Sequence, residues 1–224
     1  RDAGEVAQTG PVAVEVTAAR DIALANATIA IDFTLPEAVP ENLAAVVRAG
    51  IPWVIGITGL DAARNAQIRK ASERLPVLVA PNMSLAVNLL FGLADRAAAS
   101  LPADYDVEIL EAHHRHKADA PSGTALRLGE IVAGSRGGTL AEQAVYGRLG
   151  KSDGRGAGTI GFSSLRGGDS VVEHHVLFAG TGETLELVHR TTDRMTFAYG
   201  ALAAARWLVG RPPGLYGMSD VLGL

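Results

Sequence analysis

Apolar and polar residues change their rhythm along this chain, and each change of rhythm predicts an element. Val12-Ala-Val-Glu-Val-Thr17 alternates with a period of two and reads as a strand, as does Thr28-Ile-Ala-Ile-Asp-Phe33. Glu37 to Ala49 follows a helical period and is closed by Gly50, a residue suited to ending a helix. Trp53-Val-Ile-Gly-Ile57 is a continuous apolar run of the kind buried on both faces of a sheet. A helix over Asp61 to Arg74 and a strand over Val77 to Ala80 continue the pattern. Strand–helix alternation of this type implies a parallel sheet with covering helices. Ligands of such sheets bind at the carboxyl ends of the strands, here Phe33-Thr34, Gly56 to Gly59 and Ala80 to Met83.

A long apolar helix over Ser84 to Ser100 leads away from this region, and the grammar then changes. Asp106-Val-Glu-Ile-Leu-Glu-Ala112 alternates as a half-buried strand. Pro121 and Ser122 open a helix in which Ala125, Leu128, Ile131 and Val132 share a face. A glycine-rich loop over Gly147 to Gly158 precedes three strand-like runs, Thr159 to Leu165, Ser170 to Phe178 and Thr184 to His189, joined by short glycine turns. These predict a second, α+β domain with a mainly antiparallel sheet. A final alanine-rich helix over Met195 to Val209 is expected to pack on the first domain. The expected division is therefore 1–84 with 194–224, and 85–193.

Composition narrows the class. With 224 residues, 48% of them hydrophobic, the chain has apolar material for a sizeable core in one or two domains. A net charge of −4 argues against a broad nucleic-acid surface. No run of 18 apolar residues is present, so no membrane-spanning helix is expected, and the first residues lack the apolar stretch of a signal peptide. Zero cysteines fit a reducing cytoplasm, and they exclude any dehydrogenase that works through a cysteine thiohemiacetal.

The densest chemistry lies between the strand at 106–112 and the helix after Ser122. His113, His114, Arg115, His116 and Lys117 are five consecutive residues able to carry positive charge. The free N–H groups of the following helix add to that potential, which suits a carboxylate or phosphate ligand and proton transfer. Metal binding fits less well. Adjacent His113 and His114 point to opposite faces of a strand, and Arg115 and Lys117 repel a cation, although Glu108 and Glu111 are nearby.

The stretch Glu111-Ala-His-His-Arg-His-Lys-Ala-Asp-Ala-Pro-Ser-Gly-Thr-Ala125 resembles the signature of the dihydrodipicolinate reductase family. Ile31 to Thr34, Gly56 to Gly59, Ala80 to Ser84, Gly158 to Phe162 and Arg194 to Phe197 resemble further segments of that family in the same order. The resemblance implies reduction of 4-hydroxy-tetrahydrodipicolinate to tetrahydrodipicolinate in the diaminopimelate route to lysine, with NADH or NADPH as hydride source. It implies His113 as the acid–base residue and Lys117 as a second proton donor, with His114, Gly123 and Thr124 on a substrate carboxylate and Arg194 as a further carboxylate clamp. For the cofactor it implies Phe33, Thr34, the turn Gly56-Ile57-Thr58, and Ala80, Pro81, Asn82 and Met83. Ile57 departs from the family's Gly-Thr-Thr turn, which a backbone contact survives and a hydroxyl contact does not. The family also implies a homotetramer built through the second sheet.

Other readings stay open beside it, namely a reductase of another cyclic dicarboxylate and a non-catalytic dicarboxylate sensor. Asp119 is expected to cap the following helix rather than orient Lys117. His174, His175 and His189 are expected to be structural. A dinucleotide fold ordinarily opens with a strand and a Gly-x-Gly-x-x-Gly turn, neither of which follows Arg1, so about forty further residues are expected ahead of it.

Overall fold

The computed structural model describes residues 1–151, 153–169 and 172–224. In chain order the elements are α1 (Ala3–Val6), α2 (Arg20–Leu24), β1 (Ala30–Asp32), α3 (Val39–Ala49), β2 (Trp53–Ile55), α4 (Ala62–Ser72) and β3 (Pro76–Val79). There follow α5 (Leu85–Ser100), β4 (Asp106–His113), α6 (Gly123–Ser135), α7 (Leu140–Gln143), β5 (Ala144–Tyr146), β6 (Ile160–Arg166), β7 (Val172–Gly180) and β8 (Glu183–Thr191). The chain closes with α8 (Met195–Leu208), β9 (Gly214–Tyr216) and α9 (Met218–Leu222). Ser170, expected to begin β7, lies outside the described residues.

Two compact units result. One comprises Arg1–Pro81 with Gly200–Val221, the other Asn82–Tyr199 with Leu222–Leu224. In the first, an all-parallel sheet runs in the order β1-β2-β3-β9. All three residues of β2 are buried, as expected of a parallel strand covered on both faces. Val39 and Val46 of α3 and Ile68 of α4 pack with Trp53, Ile55, Ile57 and Val77 into one core. Gly50 ends α3 in the left-handed region (φ 67°) and returns its N–H to Val46. The Asp61 carboxylate starts α4 by accepting from the Arg64 N–H at 2.8 Å.

Val12 to Thr17 does not form the expected strand. Ala13 sits in the left-handed region, which breaks the extension. The Val12 and Val14 N–H groups donate to the Asp2 carboxylate instead of to a strand, and Val12, Val14 and Val16 stay exposed. Alternation predicts a strand only where a neighbour covers one face and pairs the backbone. β9 was not expected. It is three residues after a double proline, too short to show a period.

In the second unit the sheet is mixed, in the order β5-β6-β4-β7-β8. β4 pairs parallel with β6 and antiparallel with β7, β7 pairs antiparallel with β8, and β5 pairs parallel with β6. Register stacks the inner face in rungs. Ile160, Val107, Phe178 and Leu185 form one, and Phe162, Ile109, Val176 and Leu187 the next. Helices α5 and α6 join this face through Leu90, Ala94, Ala98, Leu128 and Val132. Gly129 permits the close approach of α6, since a Cβ there would stand 2.5 Å from the Phe162 ring.

Candidate active site

One rung further along the second sheet the apolar layer turns polar. Ser164, Glu111, His174 and His189 face one another across β6, β4, β7 and β8. The alternation that buries Val107 and Ile109 carries Glu111 to the same face, where it is only 1% exposed. A carboxylate there requires full pairing, and it is fully paired. Arg166 grips it with two nitrogens at 2.6 and 2.8 Å, the Ser122 N–H donates at 3.3 Å, and His113 Nδ1 lies 2.5 Å away. Burial by itself would raise the Glu111 pKa, but hydrogen bonds from Arg166, Ser164 and His113 outweigh it and hold the carboxyl at about 2.

His113 ends β4 on this same face, and its ring packs edge-on against His174 at 5.3 Å. Burial pushes its pKa below the ordinary histidine value, while Glu111 pulls it back up. His174 is driven lower, to about 3, first by burial and then by the charges of His113 and His189. His174 is therefore neutral near pH 7. The Ser122 hydroxyl, 3.3 Å from His174 Nε2, already accepts from the Ala125 N–H, so its own proton is free for the histidine.

After His113 the chain turns rather than staying extended. The Lys117 N–H donates to the His114 carbonyl, while Arg115 and Gly167 donate across to Gly168 and His113. Arg115 and His116 are exposed; His114 and Lys117 are half-buried. Lys117 Nζ donates to both oxygens of Asp119 at 2.7 and 2.9 Å. The expectation that Asp119 caps the helix is thereby corrected. Ser122 is the cap of α6, and Asp119 orients Lys117. Gly123 and Thr124 begin α6, with the Thr124 hydroxyl 3.4 Å from the Asn82 amide. Thus His113, Lys117 and the start of α6 at Gly123 and Thr124 are tied through Glu111, Arg166, Asp119 and Ser122, while His114 follows His113 at the beginning of the turn. Arg194 is in the exposed turn before α8 and makes no hydrogen bond to that cluster among the described residues. Glu108 is on the opposite face of β4, paired with Arg148 and Arg155.

Sequence reading missed Glu111, Arg166, Ser122 and His174 as parts of this site. Glu111 and His113 had a readable signal, since 107, 109, 111 and 113 share one strand face. Arg166 had none, because only the β4–β6 register brings it there.

In the first unit, Phe33, Thr34 and Gly56 to Thr58 lie just beyond the carboxyl ends of β1 and β2. Phe33 is exposed and its ring lies directly over Gly56, where any Cβ would collide with it. Buried Asp32 accepts from the Thr34 N–H and hydroxyl and from the Asn42 amide, fixing this strand end. The Ile57 side chain is in the core, so this residue offers only its backbone, while Thr58 beside it is exposed. Ala80 and Met83 are also buried, leaving Pro81 and Asn82 more accessible in that segment.

The model of the dihydrodipicolinate reductase N-terminus matches residues 1–83, and that of the C-terminus matches residues 86–222. A 4-hydroxy-tetrahydrodipicolinate reductase of Thiobacillus denitrificans is 56% identical over 211 residues, 94% of this chain and 79% of that protein. One of Pseudomonas fluorescens (strain Pf0-1) is 51% identical over 223 residues, 100% of this chain and 83% of that protein. Among solved structures, a dipicolinate-bound dihydrodipicolinate reductase from Paenisporosarcina sp. TG-14 aligns with TM-score 0.76 at 27% identity, covering 98% of this chain and 84% of that one. An amine dehydrogenase from Mycobacterium smegmatis shares the fold alone, with TM-score 0.56 at 11% identity. With both halves matched and half of all residues identical to those of such enzymes, this chain belongs to the dihydrodipicolinate reductase family.

Proposed function

We propose that this protein reduces 4-hydroxy-tetrahydrodipicolinate to tetrahydrodipicolinate, with loss of water, in the diaminopimelate route to lysine. The observation that carries this is the cluster at the end of β4. A histidine anchored to a buried carboxylate and an ammonium anchored to Asp119 stand on the strand and turn that lead into a helix N-terminus. Relatives about half identical bear the name of that reaction, and the structural relative holds dipicolinate, a planar dicarboxylate.

His113 is the acid–base residue, and Lys117 is a second proton donor. The free N–H groups at Gly123 and Thr124, with the Thr124 hydroxyl and His114, receive a substrate carboxylate. Arg194 is the further clamp, supplied from its exposed turn. A reduced nicotinamide, when bound, supplies the hydride. The first unit's residues fit such a group. Phe33 presents a flat aromatic surface beside the Gly56-Ile57-Thr58 turn, Thr34 is fixed by Asp32, and Ala80 and Pro81 complete the row of strand ends in that unit. Residues 1–84 with 194–224 take the cofactor in this reading, and 85–193 take the substrate. Either NADH or NADPH serves.

Leu165 of β6 and Val188 of β8 are exposed on the outer face of the sheet, which supports assembly into a homotetramer through it. No described helix is long and apolar enough to cross a membrane, in keeping with action in the cytoplasm on a small soluble dicarboxylate. The test is direct. Purified protein given the condensation product of pyruvate and aspartate semialdehyde oxidises NADH, NADPH or both, and His113→Gln abolishes most of that turnover. Failure to oxidise either cofactor overturns the proposal.

A further inference from the structure

The family resemblance gives roles to His113 and Lys117 but none to the charged pair behind them. Glu111 is the anion of the group facing His113. The others are Arg166 from β6, Lys117 from the turn and His174 from β7, with His189 of β8 behind His174. A buried ion pair is an expensive way to fill a core position, and apolar residues of similar volume often serve stability as well or better. The geometry gives this one another use.

Glu111 Oε2 meets His113 at Nδ1, 2.5 Å away, and the carboxyl is ionised throughout the neutral range. An ionised carboxylate only accepts, so the proton between them belongs to the ring. Arg166 closes the arrangement from the other side. Besides both Glu111 oxygens it donates to the Asp119 carbonyl at 2.7 Å, and the Asp119 carboxylate holds Lys117. His113 and Lys117 thus hang from one guanidinium, one through Glu111 and one through Asp119.

We propose that Glu111 and Arg166 are positioning residues of the reaction: Glu111 fixes His113 as the Nδ1–H tautomer, leaving Nε2 as its only proton-exchanging atom, and Arg166 holds both that carboxylate and the segment carrying Lys117. When His113 gives up a proton, the Nε2–H bond breaks and the ring returns to its neutral Nδ1–H form. Glu111 stays ionised throughout. The arrangement has the logic of a carboxylate that orients a catalytic imidazole without taking its proton. It rests on His113 being the acid–base residue.

Two measurements test it. In ¹⁵N-histidine-labelled protein, with the His113 signals assigned by their loss in His113→Gln, neutral His113 carries its proton on Nδ1. A dominant Nε2–H form in the wild-type protein overturns the proposal without any variant having to fold. In the kinetic arm, Glu111→Gln lowers kcat by about 10²-fold, as expected of a mis-set acid–base group. It also moves the His113-dependent midpoint of the kcat–pH profile to lower pH, because the anion that pulls that pKa up is gone. Glu111→Asp, which keeps the charge, keeps the midpoint near that of the wild type. A purely structural Glu111 would reduce the folded yield of Glu111→Gln and leave the midpoint where it was, and that result also overturns the proposal. If instead His113→Gln retains full turnover, the acid–base assignment fails, whatever tautomer the ring shows.

Discussion

Replacing Arg166 with methionine isolates the energetics of the buried carboxylate, because the long apolar chain stays and the charge goes. Holding Glu111 at about 2 against an ordinary 4.5 is worth about 3 kcal/mol, at ~1.4 kcal/mol per tenfold change in proton affinity. Mutational experience with broken buried pairs gives a similar figure of about 3–5 kcal/mol. The sign follows from linkage. With its pKa depressed in the fold, Glu111 contributes its stability above 4.5 and loses it as pH falls towards 2. In Arg166→Met the largest influence left on the carboxyl is burial, which pushes its pKa up, so the variant is penalised at high pH and relieved at low pH. Urea unfolding followed by circular dichroism reads this out. With a slope of about 2 kcal/mol per molar urea, the midpoint at pH 8 falls by about 1.5 M in the variant. The gap between the two proteins then narrows as the buffer is taken to pH 4. Equal midpoints at pH 8, or a gap that does not depend on pH, would refute the reasoning.

Other consequences are simpler to state. Lys117→Ala lowers kcat by about 10²–10⁴-fold with unchanged circular dichroism, the range for a lost proton donor; turnover close to wild type would remove Lys117 from the chemistry. Thr124→Val chiefly raises KM and weakens competitive inhibition by dipicolinate in parallel, since the contact persists from bound substrate to transition state. A fall in kcat alone would show that the hydroxyl acts only in the transition state. His174, held at about 3, stays neutral in the fold through pH values at which the unfolded chain takes up its proton. Its contribution to stability is complete above about 6.5 and drains away towards 3, at up to ~1.4 kcal/mol per pH unit. Urea midpoints of His174→Gln measured between pH 7 and 5 therefore decline less steeply than those of the wild type; parallel declines would show that His174 is not responsible.

Local patterns made much of the fold legible. The helices at 39–49, 62–72 and 85–100 and the strands β1 to β4 lie within a few residues of where periodicity and caps predict them. The pattern at Val12 to Thr17 misled because alternation reports only a willingness to pair, and here the Asp2 carboxylate takes the backbone donors. The reactive cluster itself was legible because His113 to Thr124 is contiguous. What lay behind it was not, because β6 and β7 are distant in sequence and reach the cluster only through register. Glu111 was the intermediate case. Its place on the buried face could be counted from Val107, yet the only role considered for it was that of a metal ligand.

That face has a consequence for how activity and folding are tied. Val107, Ile109, Glu111 and His113 are successive inward positions of one strand, so the register that buries the first two also delivers the last two. A slip of one residue would turn Glu108 and Leu110 inward and send His113 to the other side. A register slip of β4 cannot keep the apolar rungs and misplace Glu111 and His113. Active and inactive molecules should therefore differ in whether this sheet is formed, not in how well it is formed. Residual turnover in a partly denatured sample then counts intact molecules, each working at its full rate.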